Sequence, residues 1–271
     1  GITTTALKNV SAGSPMRMNN GCAAAVPIER LRTVDSTNDY LKRKLAKHEL
    51  DVPFAVLAER QTNGHGRNGR QWLNTRGALL MSIALSLDLL PPEKYSIITL
   101  AAAVSVNSCF MQLGLETKIK WPNDIWHDGK KLCGILTSLV IGDDSRKYAI
   151  VGIGANVNAD VLPTGLMYEA ASVKNAIGRL TDIDELCCGI CADLVGRMDD
   201  IVGISDGGER LCAEYRQNSM LIGSDIIVHT VEGAAFEAFA EDIDSIGRLV
   251  IIKKTGEKIL LSAADVSVQK K

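Results

Sequence analysis

Phe54-Ala-Val-Leu-Ala58, running directly into Glu59-Arg-Gln-Thr-Asn-Gly-His-Gly-Arg-Asn-Gly-Arg-Gln-Trp72, sets the architecture of this chain. A short apolar run bounded by polar residues predicts a buried strand. The loop after it places three glycines and two arginines within Gly64–Arg70. Glycine lets backbone N–H groups approach a ligand closely. Arginine presents fixed forks of donors that match carboxylates and phosphates. A strand that opens into such a loop is suited to holding an anion.

Gly64-x-Gly66-x-x-Gly69 matches the spacing of the dinucleotide-binding fingerprint, which requires a helix immediately afterwards. Here Arg70-Gln-Trp-Leu-Asn-Thr-Arg-Gly77 follows, with no helical period. A kinase glycine-rich loop would be followed by V-A-I-K and H-R-D segments, and a P-loop needs G-x-x-x-x-G-K-[ST]; none is present. A solvated Gly-Asn surface loop and an RNA-contacting Gly-Arg loop are the bland and the exotic alternatives. The net charge of −2 and 4% aromatic content oppose the second.

Working outward, Val26 onwards alternates strand and helix signals. Ile28–Thr33 reads as extended. Ser36–Lys47 reads as a helix with Tyr40, Leu41 and Leu45 on one face. Ala78–Leu87 reads as a strand, Ser96–Leu113 as a long helix closed by Gly114, and Thr117–Trp121, Leu132–Ile141 and Tyr148–Asn156 as strands. Ile183–Val202 and Gly207–Asn218 read as helices. After Gly223, the short strands Asp225–Thr230, Ala235–Asp242, Arg248–Lys253 and Lys258–Leu261 alternate with Gly-containing turns and predict a small appended β-barrel. The expected organisation is a disordered tail over residues 1–25, a catalytic domain over 26–220 and the barrel over 221–271.

The chain of 271 residues, 46% hydrophobic and 23% charged, has ordinary globular composition. No apolar run reaches the roughly 20 residues that span a bilayer, and no secretory segment is expected. Seven cysteines without a scaffold spacing are expected to be reduced thiols of a cytoplasmic protein, with organelle targeting by the basic, acid-poor tail left open. Cys188-Gly-Ile-Cys191 has no second pair to complete a metal site and is expected to be helix core.

Three further clusters carry chemistry. Lys120-Trp-Pro-Asn-Asp124 ends a strand with a lysine and leaves an Asn-Asp pair at its mouth. Lys131-Leu-Cys-Gly-Ile-Leu136 leads a lysine into an apolar strand that is bare at Gly134. Gly152-Ile-Gly-Ala-Asn-Val-Asn158 carries glycines within a strand, which mark close approach of a ligand or backbone. Asp35-Ser-Thr-Asn38 adds hydroxyls at a helix start, where Ser36 to Asp39 also fits a loose capping box.

Together these motifs resemble the biotin protein ligases over about Val34 to Val268. The family's G-R-G-R-x-G-R-x-W loop is Gly64–Trp72, its K-W-P-N-D is Lys120–Asp124, its K-L-x-G-I-L is Lys131–Leu136, its G-x-G-x-N-x-N is Gly152–Asn158, and its S-T-N is Ser36–Asn38. The resemblance implies an α+β fold: a mixed-sheet catalytic domain of the biotin/lipoate ligase type with a C-terminal SH3-like barrel. It implies ATP-dependent formation of biotinoyl-AMP, with Mg2+ accompanying ATP, and transfer of biotin to a lysine of a biotin carboxyl carrier domain. Biotin would meet Ser36, Thr37, Asn38, Gln61, Gly64, His65, Arg67, Lys131, Gly134 and Gly152. ATP and adenylate would meet Arg67, Arg70, Trp72, Lys120, Asn123, Lys131 and Asn156. Arg67, Lys120, Lys131 and Asp124 would carry the chemistry, with Asp124 orienting or deprotonating the acceptor lysine, which is only about 0.1% neutral near neutral pH.

His65 stands where the family has the loop's first arginine, so any charge there would depend on pH. The family's bifunctional members carry an N-terminal helix-turn-helix that is not seen before Val26, so no nucleic-acid binding is expected. A homodimer is compatible with the resemblance. A lipoate ligase, whose R-x-S-G-G-G loop is missing, and a non-catalytic biotin sensor are the rival readings.

Overall fold

The computed structural model describes residues 26–143, 145–162, 164–165, 168–230, 233–262 and 266–271. The expected tail over residues 1–25 lies outside the described residues. Seven strands form the first sheet: β1 (Ile28–Leu31), β2 (Phe54–Ala58), β3 (Leu79–Ser86), β4 (Thr117–Lys120), β5 (Asp124–His127), β6 (Lys130–Ile141) and β7 (Lys147–Ala155). Their order is β1-β2-β3-β7-β6-β5-β4. β1 and β2 are parallel and every other pair is antiparallel, so the sheet is mixed.

The central strands read as continuous apolar runs because both faces are covered. On one face α1 (Thr37–Ala46) lays Leu41 and Leu45 over Val56, Ala84 and Ile150. The opposite face, including Leu57, Ile83 and Val151, packs against α2 (Ile97–Gln112), α4 (Ile183–Gly203) and α5 (Gly207–Asn218). A short α3 (Val173–Ile177) lies between β7 and α4. The span Pro92–Gln112 is apolar and long enough to cross a membrane by length and composition, but 67% of its most apolar 18 residues is buried inside the protein. A helix that is apolar all round is what a core position requires.

Cys187 and Cys191 of α4 are buried in that core and Cys188 is exposed; all six described cysteines are free thiols. Burial pushes the Cys109 thiol up to about 12, so it is inert.

The last fifty residues form a second, five-stranded antiparallel sheet of β8 (Ser224–Thr230), β9 (Ala235–Ile243), β10 (Leu249–Lys253), β11 (Lys258–Leu261) and β12 (Val266–Lys270), in the order β11-β10-β9-β8-β12. Four of these strands match the sequence expectation; β12 was not foreseen. The β9–β10 turn anchors this sheet to the larger part. Trp121 Nε1–H donates to Gly247 O at 3.0 Å, and Ser96 Oγ–H donates to Ile246 O at 2.6 Å. Gly247 has φ +85° and its Cα hydrogens face Leu100, where a Cβ would lie 2.6 Å from Cδ1. Both demands select glycine.

Candidate active site

A cavity of about 500 Å³ opens over β3, β6 and β7, beside the corner between β4 and β5. Its first wall is built at the start of α1. Ser36 caps the helix, accepting from the Asp39 N–H at 3.4 Å. The Ser36 N–H is satisfied by Asp35 Oδ1 at 2.8 Å, so the reciprocal half of the expected capping box is supplied by Asp35 instead of Asp39. Thr37 donates twice to Gln61 Oε1, from N at 2.8 Å and from Oγ1 at 3.1 Å. Ser82 Oγ–H lies 2.7 Å from Thr37 Oγ1 and 2.5 Å from Asn38 Oδ1, and Asn38 Nδ2 donates to Leu136 O at 3.4 Å. Ser36, Thr37, Asn38, Gln61 and Ser82 are all buried. A buried polar set of this kind is cross-braced before any ligand arrives.

The floor is bare backbone. Ser82, Gly152 and Leu136 lie side by side on β3, β7 and β6, and Leu80, Gly154 and Gly134 do so two residues along. A Cβ on Gly152 would overlap the Asn38 amide, and one on Gly154 would come within 2.5 Å of Trp72 Cε2. Gly134 faces Trp72 Cζ3 and Lys131 Nζ, which would lie 3.1 and 3.3 Å from an added Cβ. Gly134, expected with Gly64 to leave room for biotin, lies against Trp72 and Lys131, and Gly152 lies against Asn38. Gly64 likewise faces Gln61, 2.8 Å from Nε2.

The glycine-rich loop closes on itself. Trp72 N–H donates to Gly64 O at 2.9 Å and Gly66 N–H to Arg70 O at 2.7 Å, while Arg67–Gly69 makes one 3-10 turn. His65 Nδ1 is 3.2 Å from Asn63 O and 3.9 Å from Asp39 Oδ2. Arg67 and Arg70 both line the cavity. Arg67 donates to Asn123 Oδ1 at 3.4 Å; burial lowers its pKa, partly offset by Asp124.

Lys120-Trp-Pro-Asn-Asp124 is a hairpin corner, which the sequence reading took only as a strand's end. β5 turns straight back along β4, pairing Asp124 with Lys120 on one side and with Gly134 on the other. Asp124 Oδ1 receives the Lys131 ammonium at 2.8 Å. Lys120, only 6% exposed, has its pKa lowered to about 8, chiefly by burial, with Asp124 opposing and Lys131 and Arg70 adding to the shift. Asn156 is buried, with Oδ1 accepting from Thr75 Oγ1–H at 3.2 Å. Asn158 clamps the backbone of Thr181 at both its N–H (3.0 Å) and its carbonyl (2.8 Å), a structural role.

One end of the cavity is therefore polar and neutral, the floor is apolar, and four cations gather at the other end. Sequence reasoning missed Ser82, Tyr168 and Val268 as lining or bracing residues. A lone hydroxyl inside the apolar run Leu79–Leu85 was the available signal for Ser82.

Comparison with known proteins agrees with this geometry. A model of the Biotin/lipoate A/B protein ligase family matches residues 31–158. The biotin–[acetyl-CoA-carboxylase] ligase of Mycobacterium tuberculosis is 30% identical over 237 residues, covering 85% of each chain. The bifunctional ligase/repressor BirA of Bacillus spizizenii is 32% identical over 234 residues, covering 85% of this chain and 71% of that protein. Among solved structures, the Aquifex aeolicus biotin protein ligase in complex with biotin and ATP shares the fold with a TM-score of 0.77 at 24% identity, over 90% of this chain and 99% of the other. Matched along most of its length to ligases of this kind, and carrying their motifs around one cavity, the chain belongs to the biotin protein ligases.

Proposed function

We propose that this chain activates biotin with ATP and transfers it to a lysine of a biotin carboxyl carrier domain, that of acetyl-CoA carboxylase being the acceptor class suggested by the Mycobacterium relative's name. The observation that carries the reading is the convergence of Arg67, Arg70, Lys120 and Lys131 on one cavity whose opposite wall is the uncharged set Ser36, Thr37 and Gln61. A urea-like ring suits the neutral wall, the apolar floor suits a hydrocarbon chain, and a carboxylate then points at the cations.

In the first step the biotin carboxylate oxygen attacks the α-phosphorus, an O–P bond forms, and pyrophosphate leaves. Two anions meet there, so fixed positive charge lowers the barrier. Arg67 and Lys131 face the carboxylate and α-phosphate, Arg70 and Lys120 the remaining phosphate charge, and Trp72, Asn123 and Asn156 the nucleoside. Asn38, Gly64, His65, Gly134 and Gly152 complete the biotin side. In the second step the acceptor amine attacks the anhydride carbonyl; a C–N bond forms, the C–O bond to AMP breaks, and the nitrogen loses a proton. Lys131 moves from Asp124 to the adenylate, leaving the Asp124 carboxylate to receive or orient the incoming ammonium.

Among the described residues no group of three His, Cys, Asp or Glu side chains could hold a metal ion. The cavity offers the Asp124 carboxylate among its cations, and magnesium enters here as a companion of the triphosphate. The five-stranded second sheet is read as the SH3-type module of the family, and Val268 at the cavity supports a part for it in the site. A cytoplasmic location is supported by the free thiols of the cysteines among the described residues.

The test is single-turnover transfer from preformed biotinoyl-AMP to a purified carrier domain, read by mass. One biotin added at a single lysine is expected; hydrolysis without transfer would overturn the reading.

A further inference from the structure

Lys120 is buried, yet among the described residues no carboxylate lies within salt-bridge distance of its ammonium. Two aromatic faces meet it instead: Tyr168, whose ring centroid is 4.2 Å from Nζ, and Trp126, at 4.6 Å. The two rings stand edge to face, 5.2 Å apart at 70°. A cation held by ring quadrupoles keeps its full positive charge toward an approaching anion, whereas a carboxylate partner would cancel it.

The backbone ties this arrangement to the second lysine of the site. Lys131 lies opposite Trp126 in the β5–β6 ladder, beside a register shift between Ile125 and Trp126. On its other side Lys131 pairs with the segment around Ala170: its N–H donates to Glu169 O at 2.9 Å, and the Ala171 N–H returns to Lys131 O at 2.8 Å. Tyr168 precedes this pairing by one residue. Trp126 and the Tyr168 segment thus flank Lys131 in the sheet while their rings enclose Lys120.

We propose that Tyr168 is a positioning residue of the adenylation step: with Trp126 it forms an aromatic cage that holds the Lys120 ammonium toward the triphosphate without neutralising it. The functional part of the proposal rests on the ligase reading. The groups facing Lys120 are Asp124 across the hairpin, Lys131 from β6, Arg70 from the glycine-rich loop and Tyr168 itself, whose phenol is held above its ordinary range chiefly by burial and so stays neutral. The ring contributes as an aromatic face, and its hydroxyl is dispensable.

The test compares Tyr168→Phe, Tyr168→Leu and Tyr168→Met. In ligand-free protein labelled with 13C at lysine Cε, the Lys120 signal is assigned by its loss in Lys120→Met and titrated from pH 6.5 to 10.5. The wild-type midpoint is expected near 8. Tyr168→Phe should retain it. Tyr168→Leu and Tyr168→Met keep an apolar wall but remove the ring, and should lower it by about half a pH unit. In biotin-dependent pyrophosphate exchange, the same two variants should raise KM for ATP about threefold at pH 8.5 with KM for biotin unchanged, and approach wild type at pH 6.5. Equal midpoints in Phe, Leu and Met variants, or parallel changes in both KM values, would overturn the cage. Absence of exchange in the wild type would overturn the ligase reading and its functional consequence, while the titration would still decide whether the cage exists.

Discussion

Replacing Gly152 by alanine probes the tightest packing in the site. The new methyl would overlap the Asn38 amide, with Cγ and Nδ2 both 2.9 Å from the added carbon. Asn38 is 4% exposed and cannot swing away without leaving Ser82 Oγ, at 2.5 Å, and Leu136 O, at 3.4 Å. Overpacking a rigid core costs about 1–3 kcal/mol, and loosening a buried hydrogen bond adds about 1 kcal/mol. A total of about 2–4 kcal/mol lowers Tm by roughly 4–16 °C for a protein of this size. The displaced Asn38 should also raise KM for biotin about tenfold, equivalent to about 1.4 kcal/mol. Gly196→Ala is the control: it lies inside α4 with nothing within 4 Å of an added Cβ, and should raise stability by about 0.5–1 kcal/mol. Thermal unfolding and steady-state kinetics on the two variants read both effects. A Gly152→Ala protein with wild-type Tm and wild-type KM for biotin would refute the packing argument.

Other expectations follow from the cationic end of the cavity. Asp124→Asn should slow transfer to the carrier domain at least about tenfold more than adenylation, because the transfer step needs the carboxylate and adenylation needs chiefly the cations; equal slowing in single-turnover assays would remove Asp124 from the second step. Lys120 binds its proton less tightly folded, at about 8, than unfolded. Between that value and the ordinary lysine range the unfolded chain holds more protons, so this group makes stability rise with pH across that window. Lys120→Met should therefore lose part of that rise, and the variant's stability advantage at pH 7.5 in urea titrations should shrink by pH 9.5; a constant difference would contradict the assigned burial. The loop from Gly64 to Arg70 should become resistant to limited proteolysis when biotin and ATP are both added, since its cations gain partners; unchanged cleavage would count against a ligand-ordered loop.

Much of the fold was legible because apolar runs and turn residues mark it directly. Phe54–Ala58 and Gly207–Asn218 match their observed bounds, and α1 starts where Ser36 provides a cap. β5 was missed because its four residues, Asp-Ile-Trp-His, sit inside a motif read as a strand's end, and a tight hairpin has no long-range signature. β12 was missed because Val266–Lys270 is short and polar at its end. The site residues Arg67, Lys120, Asp124 and Lys131 were legible as motifs, and the structure brings them to one cavity. Their partners were not. That Asp124 holds Lys131 depends on the register of the β5–β6 hairpin, and that Tyr168 covers Lys120 depends on a pairing with a segment far along the chain. The glycines carried a true signal of close approach, but only the three-dimensional arrangement shows that the approaching groups include Asn38 and Trp72.

The most direct test of the account is ATP–pyrophosphate exchange with biotin or with lipoate, at pH 7.5 with magnesium. The account predicts exchange that requires biotin and is absent with lipoate. Exchange supported by lipoate, or none with biotin while calorimetry still shows biotin bound, would contradict it.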